Sequence, residues 1–426
     1  MPDSHGLAAR LEAVTEPAER VTLAREALAL GLPQARSENW KYTRTQGLDA
    51  LPWSPAAGLA ESDTRTLLAE LEQRLPLDGP RLVWANGKFQ AELSRLDGLP
   101  EGLEFSLIDR AGEQELLRRR KNRALPEERH PLDTVNAALF NTGFQLVLQA
   151  GVRCEKPLAV IHLQGTAAVA GTVQCRNLIR LDEGAELTLL ECNVGHAPGS
   201  TATHTSDWTL AKGAKASHVR VQAVRGEAFR VSHQFVELAG DAAFDGTTIS
   251  LAGETIRNES LVRLNGPGAS AALAGLGLLD GKRHLDSHTW LDHAVPDCNS
   301  HQLFKHVLDQ GSRAVFTGHI LVRQDAQHTD AIQNSKSLLL SDEARANTRP
   351  QLEIHADDVK CTHGATVGHL EEEGLFYLRS RGIDGDMARR LLVRGFAQDV
   401  VDQVTHPDLQ APLGDWVQRH FESDER

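Results

Sequence analysis

The sequence has no excess of basic residues. It contains 45 Lys and Arg against 58 Asp and Glu, a formal net charge of −13. Nucleic acids and anionic membranes attract basic surfaces, so this charge argues against either as a partner. The chain also lacks the run of about 18 to 20 uncharged apolar residues that crosses a bilayer. Its first residues, "MPDSHGLAARLEAV", carry charges where a signal peptide is apolar, so we expect a cytoplasmic protein.

Cysteine is scarce, and the common catalytic motifs are missing. The 5 cysteines contain no C-x-x-C pair, which predicts neither a disulfide framework nor a zinc ribbon. They are Cys154, Cys175, Cys192, Cys298 and Cys361. No G-x-x-x-x-G-K-[ST] is present, so the chain does not hold a nucleoside triphosphate through a P-loop. G-x-S-x-G and H-E-x-x-H are also missing, so these motifs indicate no hydrolase.

The start of the chain, as far as Gly31, has apolar side chains at helical intervals. The pattern predicts one helix from residue 6 that breaks at Pro17, and a second that ends near Gly31. Val21, Ala24 and Leu28 would form the buried face of the second helix. Short helices therefore open the chain.

Further helices and one hairpin are predicted before the β-rich region. The spacing predicts a helix over 62–75, capped by Ser62 or Asp63, and another over 112–122. An Asn-Gly pair within 81–93 suits the positive φ angles of a type I′ turn, so that segment is predicted to be a hairpin.

Residues 144–360 consist of short Val-, Ile-, Leu- and Thr-rich runs between turn residues. A loose pattern of Leu, two residues, a turn former or acid, and Ala or Ser recurs at 181, 210, 238, 308 and 340, with a related "LNGPGA" at 264. The first four leucines in chain order are spaced by roughly 26 to 29 residues, a period found in stacked repeat architectures. This period is too short for a propeller blade of about 40 to 45 residues, and a sandwich would not repeat its turns.

The recurrence predicts a β-helix in which one coil takes roughly 25 to 30 residues, the alternative being chance recurrence. Open ends of a β-helix expose strand edges, so we expect the helical termini to cap them.

The chain becomes helical again near its end. A helix over 384–404, capped by Asp384, carries one apolar stripe, and a shorter helix follows over 413–421. The stripe consists of Met387, Leu391, Leu392, Phe396, Val400, Val401 and Val404. It could pack on the protein's own core or contact a partner.

The segment "VKCTHGATVGH" (359–369) holds the candidate site. Cys361 and His363 are two residues apart and share one face of an extended chain. Thiolate and imidazole suit zinc, copper or iron–sulfur species, which need about four ligands. His355 and His369 have the same parity but would lie about 46 Å apart if extended at about 3.3 Å per residue. The pair is predicted to be half a site that a second chain completes, the alternative being ordinary structural residues.

Many of the 19 histidines lie between residues 284 and 328. His284 and His288 have a spacing that binds metal on a helix, but this region is predicted to form strands. We interpret these side chains as surface or hydrogen-bonded histidines.

Residues 347–383 resemble the core signature of the SufB/SufD family of iron–sulfur cluster assembly proteins. The similarity extends through 316–344 and 288–308 back to 132–152, and "ENWKYT" (38–43) resembles an N-terminal signature of the SufD branch. The resemblance implies a mainly β fold, a right-handed parallel β-helix flanked by helical domains. We accordingly divide the chain into an N-terminal helical domain (1–130), a β-helix core (131–368) and a C-terminal helical domain (369–426).

The resemblance also implies a function. Family members act as non-enzymatic scaffolds in a complex of SufB, SufD and the ATPase SufC, which would contact the C-terminal helices. Cys361 and His363 match positions at the SufB–SufD interface, so they would bind iron or a transient iron–sulfur cluster shared with SufB. Help with iron acquisition is a further implication, and flavin involvement is left undecided. The incomplete site and the open lateral edge of a β-helix separately predict that the isolated chain forms a homodimer or a heteromer. No ligand role is carried over to His369, and Asp357 and Asp358 are assigned to a turn.

Two other functions are considered. A SufB-type scaffold is disfavoured because that branch tends to carry His-Glu-Ala-Thr where this chain has His-Gly-Ala-Thr (363–366) after Cys361 and Thr362. A β-helix carbohydrate enzyme would need clustered carboxylates on one face and usually a secretion signal, and the sequence indicates neither.

Overall fold

The structure, a computed structural model, describes residues 6–422 except positions 35, 44, 46 and 76 and the segments 123–129 and 167–170. Its α-helices lie before and after a long run of strands. They are α1 (Leu7–Glu12), α2 (Ala18–Leu30), α3 (Glu61–Glu72), α4 (Arg110–Asn122), α5 (Pro131–Leu139), α6 (Glu372–Ser380), α7 (Gly385–Val401) and α8 (Pro407–Glu422). None of the helices in the described ranges is long and apolar enough to span a bilayer.

Most strands have similar lengths and follow one another with short turns. They are β1 (Arg81–Ala85), β2 (Lys88–Phe89), β3 (Leu103–Leu107), β4 (Phe144–Leu148), β5 (Leu158–Gln164), β6 (Thr172–Leu181), β7 (Glu186–His196), β8 (Thr201–Leu210), β9 (Lys215–Arg225), β10 (Phe229–Leu238), β11 (Ala243–Ser250), β12 (Thr255–Leu264), β13 (Ser270–Leu279), β14 (His284–His293), β15 (Asn299–Leu308), β16 (Arg313–Val322), β17 (Asp330–Leu339), β18 (Arg345–Ile354) and β19 (Lys360–His369).

Successive strands alternate between two sheets. The ten-stranded sheet contains β1, β2 and the odd-numbered strands from β5 to β19, and the nine-stranded sheet contains β3 and the even-numbered strands from β4 to β18. Strands β4 to β19 pair only in parallel with their neighbours in each sheet, apart from the antiparallel pair β3–β4. The chain therefore winds as a parallel β-solenoid of about 8 turns, which confirms the predicted β-helix with helical ends.

The recurring leucines form a ladder inside this solenoid. Leu181, Leu210, Leu238 and Leu264 end β6, β8, β10 and β12, and each is in register with the next. All four are at most 1% exposed. The later two motifs belong to the other sheet, where Leu308 ends β15 and Leu340 follows the end of β17. The cadence therefore marks the coil length, because four successive coils bring a leucine to the same internal position, which His293 occupies in the next coil.

Two kinds of core stabilise the solenoid. Inward-facing side chains of both sheets form a core in the lumen, the space enclosed between the sheets. Helices α1, α2 and α5 pack together against the outer side of β10, while α3, α7 and α8 pack on the outer face of the ten-stranded sheet. The N-terminal end of the solenoid is covered by β2 and β3, which pair antiparallel with β1 and β4.

The expectation that the terminal helices cap both open ends is wrong. Helix α7 contacts β13 and β15 rather than lying over the last strand. β18 and β19 are the end members of their sheets in the described part of the chain. Most of the buried residues of α7 belong to the apolar core on the outer face of the ten-stranded sheet.

The N-terminal predictions are mostly confirmed. Pro17 separates α1 from α2, Gly31 follows α2 with φ 69°, and Asn86 and Gly87 turn the hairpin with φ 46° and 80°. The buried face of α2 differs: Leu23, Ala24 and Ala27 are buried while Leu28 is 39% exposed. The buried face is therefore rotated from the predicted one, and its residues share a core with Leu132, Val135, Ala137 and Ala138 of α5.

Two helix starts also differ from the sequence pattern. Helix α3 begins at Glu61 after Ala60, so neither Ser62 nor Asp63 caps it. Helix α8 begins at Pro407 instead of 413. The domain limits 1–130, 131–368 and 369–426 remain predictions, and strands β1 and β3 from the first of these segments extend the two sheets.

Helix α7 begins as predicted, but its apolar stripe is divided. Asp384 accepts hydrogen bonds from the Asp386 and Met387 amides. Val400 and Val401 are buried, whereas Met387 and Leu391 are 44% and 39% exposed. Phe396 is partly buried, with the Lys305 ammonium 4.4 Å from its ring centroid. Only part of the stripe therefore packs on the solenoid.

Candidate functional site

Cys361 and His363 lie on β19, the last strand of the ten-stranded sheet. They are in register with Ala331 and Gln333 of β17, both of which have 0% exposed surface. In-register residues of parallel strands point to the same face of a sheet. The pair therefore sits on the lumen side of the sheet, at the open C-terminal end of the solenoid.

The two side chains differ in burial. Cys361 is partly buried and packs against the lumen core, whereas His363 is exposed. Burial, and after it the Asp330 carboxylate, raises the pKa of the Cys361 thiol. Without a bound cation this cysteine is therefore a thiol and not a reactive thiolate, and a cation that binds its sulfur must displace the proton.

A buried polar side chain lies directly beneath His363. Gln302, Gln333 and His363 are in register on β15, β17 and β19. Gln333 is fully buried, and among the described residues neither its amide oxygen nor its amide nitrogen has a hydrogen-bond partner. The floor of this open end is therefore polar and can offer an acceptor or a donor towards His363.

The last coil also has free backbone groups. The Lys360 amide donates to the Thr329 carbonyl oxygen at 2.8 Å, so alternate residues of β19, including Cys361, His363 and Val367, direct their amides towards the free edge. β18 differs. The Arg345 amide donates to the Ser312 carbonyl oxygen, so alternate residues starting from Ala346 direct their nitrogens towards the free edge of β18. One of these residues is Pro350, which has no amide hydrogen to donate. The β19 edge can pair with another strand, and the β18 edge lacks one of the donors needed for it.

The other two histidines of this region have partners of their own. His355 Nε2 lies 3.0 Å from Glu353 Oε1, and His369 Nδ1 lies 3.1 Å from the Leu339 carbonyl oxygen. In the described ranges, Cys361 and His363 belong to no group of three or more closely spaced metal ligands. Within this chain the pair therefore offers two possible ligand atoms at an open edge.

The histidines between 284 and 328 have ordinary partners. His284 contacts the Thr43 hydroxyl at 3.3 Å, and His293 contacts the Ser300 hydroxyl at 2.9 Å. His288 and His328 pair with Asp286 and Asp297, each at 2.9 Å. These contacts agree with the interpretation of this group as hydrogen-bonded histidines, although several of them are buried.

Two groups of possible metal ligands were missed by sequence reasoning. One consists of His162, Cys175 and His204, and the other of His130, His233 and Glu259. A signal for the first existed, because Cys175 precedes His204 by the same interval that separates Leu181 from Leu210. Residues separated by one coil occupy the same position in successive coils.

Comparisons with known proteins agree with this architecture. Residues 163–396 match the family model for the SUF system FeS cluster assembly, SufBD core domain. The chain therefore belongs to the SufBD family of iron–sulfur cluster assembly proteins. It is 33% identical over 395 residues to the iron–sulfur cluster assembly protein SufD of Escherichia coli (strain K12), a match that covers 90% of this chain and 88% of that protein.

Other relatives extend the same similarity. A SufBD family protein from Synechocystis sp. is 28% identical over 404 residues, covering 90% of this chain and 86% of the relative. The chloroplastic protein ABCI7 of Arabidopsis thaliana is 33% identical over 270 residues, 61% of this chain and 56% of the relative. The resemblance recognised in the sequence is confirmed.

Proposed function

We propose that this chain is a SufD-type scaffold subunit of the SUF iron–sulfur cluster assembly complex. It acts in the cytoplasm with SufB and the ATPase SufC, without nucleic acid or membrane as a partner. It contributes Cys361 and His363 to iron or a nascent cluster shared with SufB and assists iron acquisition. It catalyses no reaction of its own.

The observation that carries this proposal is a two-ligand pair beside an unpaired strand edge. An iron–sulfur species needs about four protein ligands, and Cys361 and His363 are two. A second chain that pairs with the free edge of β19 would bring its own last coil next to them. The strand edge and the missing ligands are therefore satisfied by one partner, for which SufB is our candidate.

The chemistry of the pair suits a cluster that is delivered onward. Iron binding would displace the thiol proton of Cys361, whose raised pKa opposes ionisation in the free chain. His363 is exposed, so its imidazole reaches a shared cluster without rearrangement of the core. Because each chain holds only part of the ligand set, separation of the two chains would release the cluster.

The ATPase would dock on the exposed apolar side of α6 and α7. Phe376 and Tyr377 of α6 are 74% and 57% exposed, and Met387 and Leu391 of α7 add to them. Exposed apolar residues in a contiguous group commonly mark a protein contact. We call these four residues the α6–α7 patch.

Reconstitution of the complex tests the ligand assignment. The double variant Cys361→Ala, His363→Ala should still fold and bind SufB, because Cys361 is only partly buried and His363 is exposed. It should lose most of the cluster formed with iron and sulfide, since even residues behind the ligands typically contribute about 10- to 100-fold to metal affinity. Visible absorbance measures the cluster, and co-purification measures partner retention.

The matched control is His369→Ala, which removes an exposed histidine from the same strand. This variant should assemble a normal cluster. A normal cluster in the double variant would show that Cys361 and His363 are not ligands. Loss of SufB or of folding in the double variant alone would assign the pair a structural role instead.

A further inference from the structure

Three side chains with metal-binding atoms meet inside the early coils of the solenoid, far in sequence from Cys361. Cys175 of β6 and His204 of β8 are register partners on adjacent strands of the nine-stranded sheet. His162 comes from β5 in the ten-stranded sheet. One possible ligand atom from each residue lies within 4.8 Å of the others. The group therefore bridges the lumen from one sheet to the other.

The three residues are held in place from several sides. His162, Cys175 and His204 are 2%, 0% and 3% exposed. The His162 ring stacks on Trp84 with centroids 5.4 Å apart, and it meets the His204 ring edge-on at 4.7 Å. Helix α5 fixes the two neighbouring strands from outside, because the Asn136 amide donates to the Cys175 carbonyl oxygen at 3.2 Å and to that of Thr203 at 3.1 Å.

The hydrogen bonding of the group is incomplete. Within the described part of the chain, neither ring nitrogen of His162 has a hydrogen-bond partner. The nearest acid to His204 is Glu191, whose Oε1 lies 3.6 Å from His204 Nδ1. The Cys175 thiol donates to Asn177 Oδ1 at 3.2 Å. A buried imidazole with no partner costs stability, and a bound cation would satisfy one of its nitrogens.

The protonation states also suit a cation. Burial lowers the pKa of His162, and it lowers that of His204 to about 4, so both rings are neutral near pH 7 and keep a lone pair. Burial raises the pKa of the Cys175 thiol. A cation that binds the sulfur would displace one proton, leaving one thiolate and two neutral imidazoles.

We propose that His162, Cys175 and His204 bind a single transition-metal ion with zinc-like coordination, resident in the lumen and separate from Cys361 and His363. Two nitrogens and one sulfur are a donor set that suits Zn²⁺, with bonds of about 2.0 to 2.1 Å to nitrogen and about 2.3 Å to sulfur. The ligand atoms of the three residues lie within 4.8 Å of one another, so small rotamer changes would bring all three to bonding distance of one ion. Asn177, whose Oδ1 lies 3.2 Å from Cys175 Sγ, could supply a fourth oxygen ligand, whereas the oxygens of Glu191 already accept hydrogen bonds from Asn193 and Arg220.

The second group, His130, His233 and Glu259, is less suited to a cation. Glu259 Oε1 already accepts a 2.5 Å bond from Arg257 Nε, and its Oε2 lies 2.5 Å from His130 Nδ1. The guanidinium compensates the carboxylate and would repel an added cation. The lumen group has a thiol and two imidazoles and no guanidinium bonded to any of them in the described residues.

Cobalt substitution tests the lumen site in the full-length chain. The protein would be expressed in metal-depleted medium with added Co²⁺, or refolded with it, because the residues are too buried for rapid exchange. We expect one equivalent of bound Co²⁺, a thiolate-to-cobalt charge-transfer band, and a raised melting temperature relative to the metal-free chain. The bound ion should resist a chelator under native conditions.

Two variants test the ligands, and two others serve as controls. Cys175→Ala should lose the charge-transfer band, and His204→Gln should weaken Co²⁺ binding by more than about 100-fold. The matched control is Cys192→Ala, which removes another fully buried cysteine, one that faces the outer core against the helices. This control and the Cys361→Ala, His363→Ala variant should keep the band.

The outcomes separate the possibilities. No band in the wild-type chain, or a band that survives in Cys175→Ala, overturns the proposal. A band lost only in Cys361→Ala, His363→Ala places the ion at the open end and also overturns it. If Cys175→Ala does not fold, His204→Gln decides, because that variant keeps the thiol and a polar side chain; undiminished Co²⁺ affinity there rejects the site.

Discussion

At the scale of single residues, burial keeps several histidines neutral inside the solenoid. It lowers the pKa of His293 and of His306 to about 4 in each case, against 6.5 for the ordinary side chain. The unfolded chain therefore binds protons at these positions at a higher pH than the folded chain. The stability that they contribute is complete above about pH 6.5 and is lost as the pH falls towards 4.

We predict that acid sensitivity is reduced in His306→Gln. Between pH 7 and pH 5 this histidine should account for about 2 kcal/mol of the fall in unfolding free energy, since a pKa difference of one unit corresponds to about 1.4 kcal/mol. Urea unfolding at both pH values measures it. The control His328→Asn changes an exposed histidine and keeps a residue that tolerates its φ of 59°. Equal acid sensitivity in His306→Gln and the wild type would contradict the assignment.

At the scale of elements, α7 uses its two sides differently. Ala388, Val393 and Ala397 are among its buried residues, while Met387 and Leu391 stay exposed. Helix α6 has no buried residue at all. The apolar burial that docks α7 on the solenoid therefore comes from one side of the helix, and the α6–α7 patch stays exposed.

We predict that Phe376→Asp combined with Leu391→Asp weakens binding of the ATPase subunit by at least tenfold and leaves folding intact. A carboxylate buried in an apolar contact costs several kcal/mol, whereas both sites are exposed in the free chain. Pull-down and thermal melting measure the two effects.

Two single variants serve as controls for this double variant. Arg389→Asp makes a similar charge change at an exposed position on another side of α7 and should leave the pull-down unchanged. Phe396→Asp should instead lower the melting temperature, because its ring is partly buried beside Lys305. Full ATPase binding by the Phe376→Asp, Leu391→Asp variant would remove the patch as a docking site.

At the scale of the whole molecule, the two ends of the solenoid are unequal. β2 and β3 cover the first coils with antiparallel pairs, and β19 at the other end has amides that point outward. An exposed strand edge of this length favours association with another chain. We therefore expect a homodimer of the isolated chain or a heteromer with SufB, and not the 46.5 kDa monomer.

A proline at the edge of β19 tests this expectation. Val367→Pro removes an outward amide and should shift the sedimentation of the isolated chain towards the monomer, with little loss of stability. Thr366→Pro removes an amide that points to β17 and should destabilise the last coil instead. A wild-type chain that sediments as a monomer with and without SufB would contradict the edge-pairing hypothesis.

The fold class was readable from the sequence because it depends on local order, whereas the ligand role of the pair at 361 and 363 stays a prediction. The coil length repeats along the chain, since successive coils from Leu181 to Leu264 return a leucine to the same position in the lumen. The Asn86-Gly87 turn and the Asp384 cap are likewise decided within a short stretch of chain. Cys361 and His363 stood out through a short contiguous motif.

Only the tertiary structure decided which side chains meet across the lumen and which surfaces stay free. His162 and Cys175 lie in different sheets. The coil period aligns residues of the same sheet, so it does not predict that these two side chains are close. From the sequence, the stripe on α7 could pack on the protein's own core or contact a partner. In the structure, one side of α7 packs against β13 and β15. Repeats and turns follow from local backbone preferences, whereas contacts between sheets and the faces of helices depend on how distant segments bury their apolar surface together.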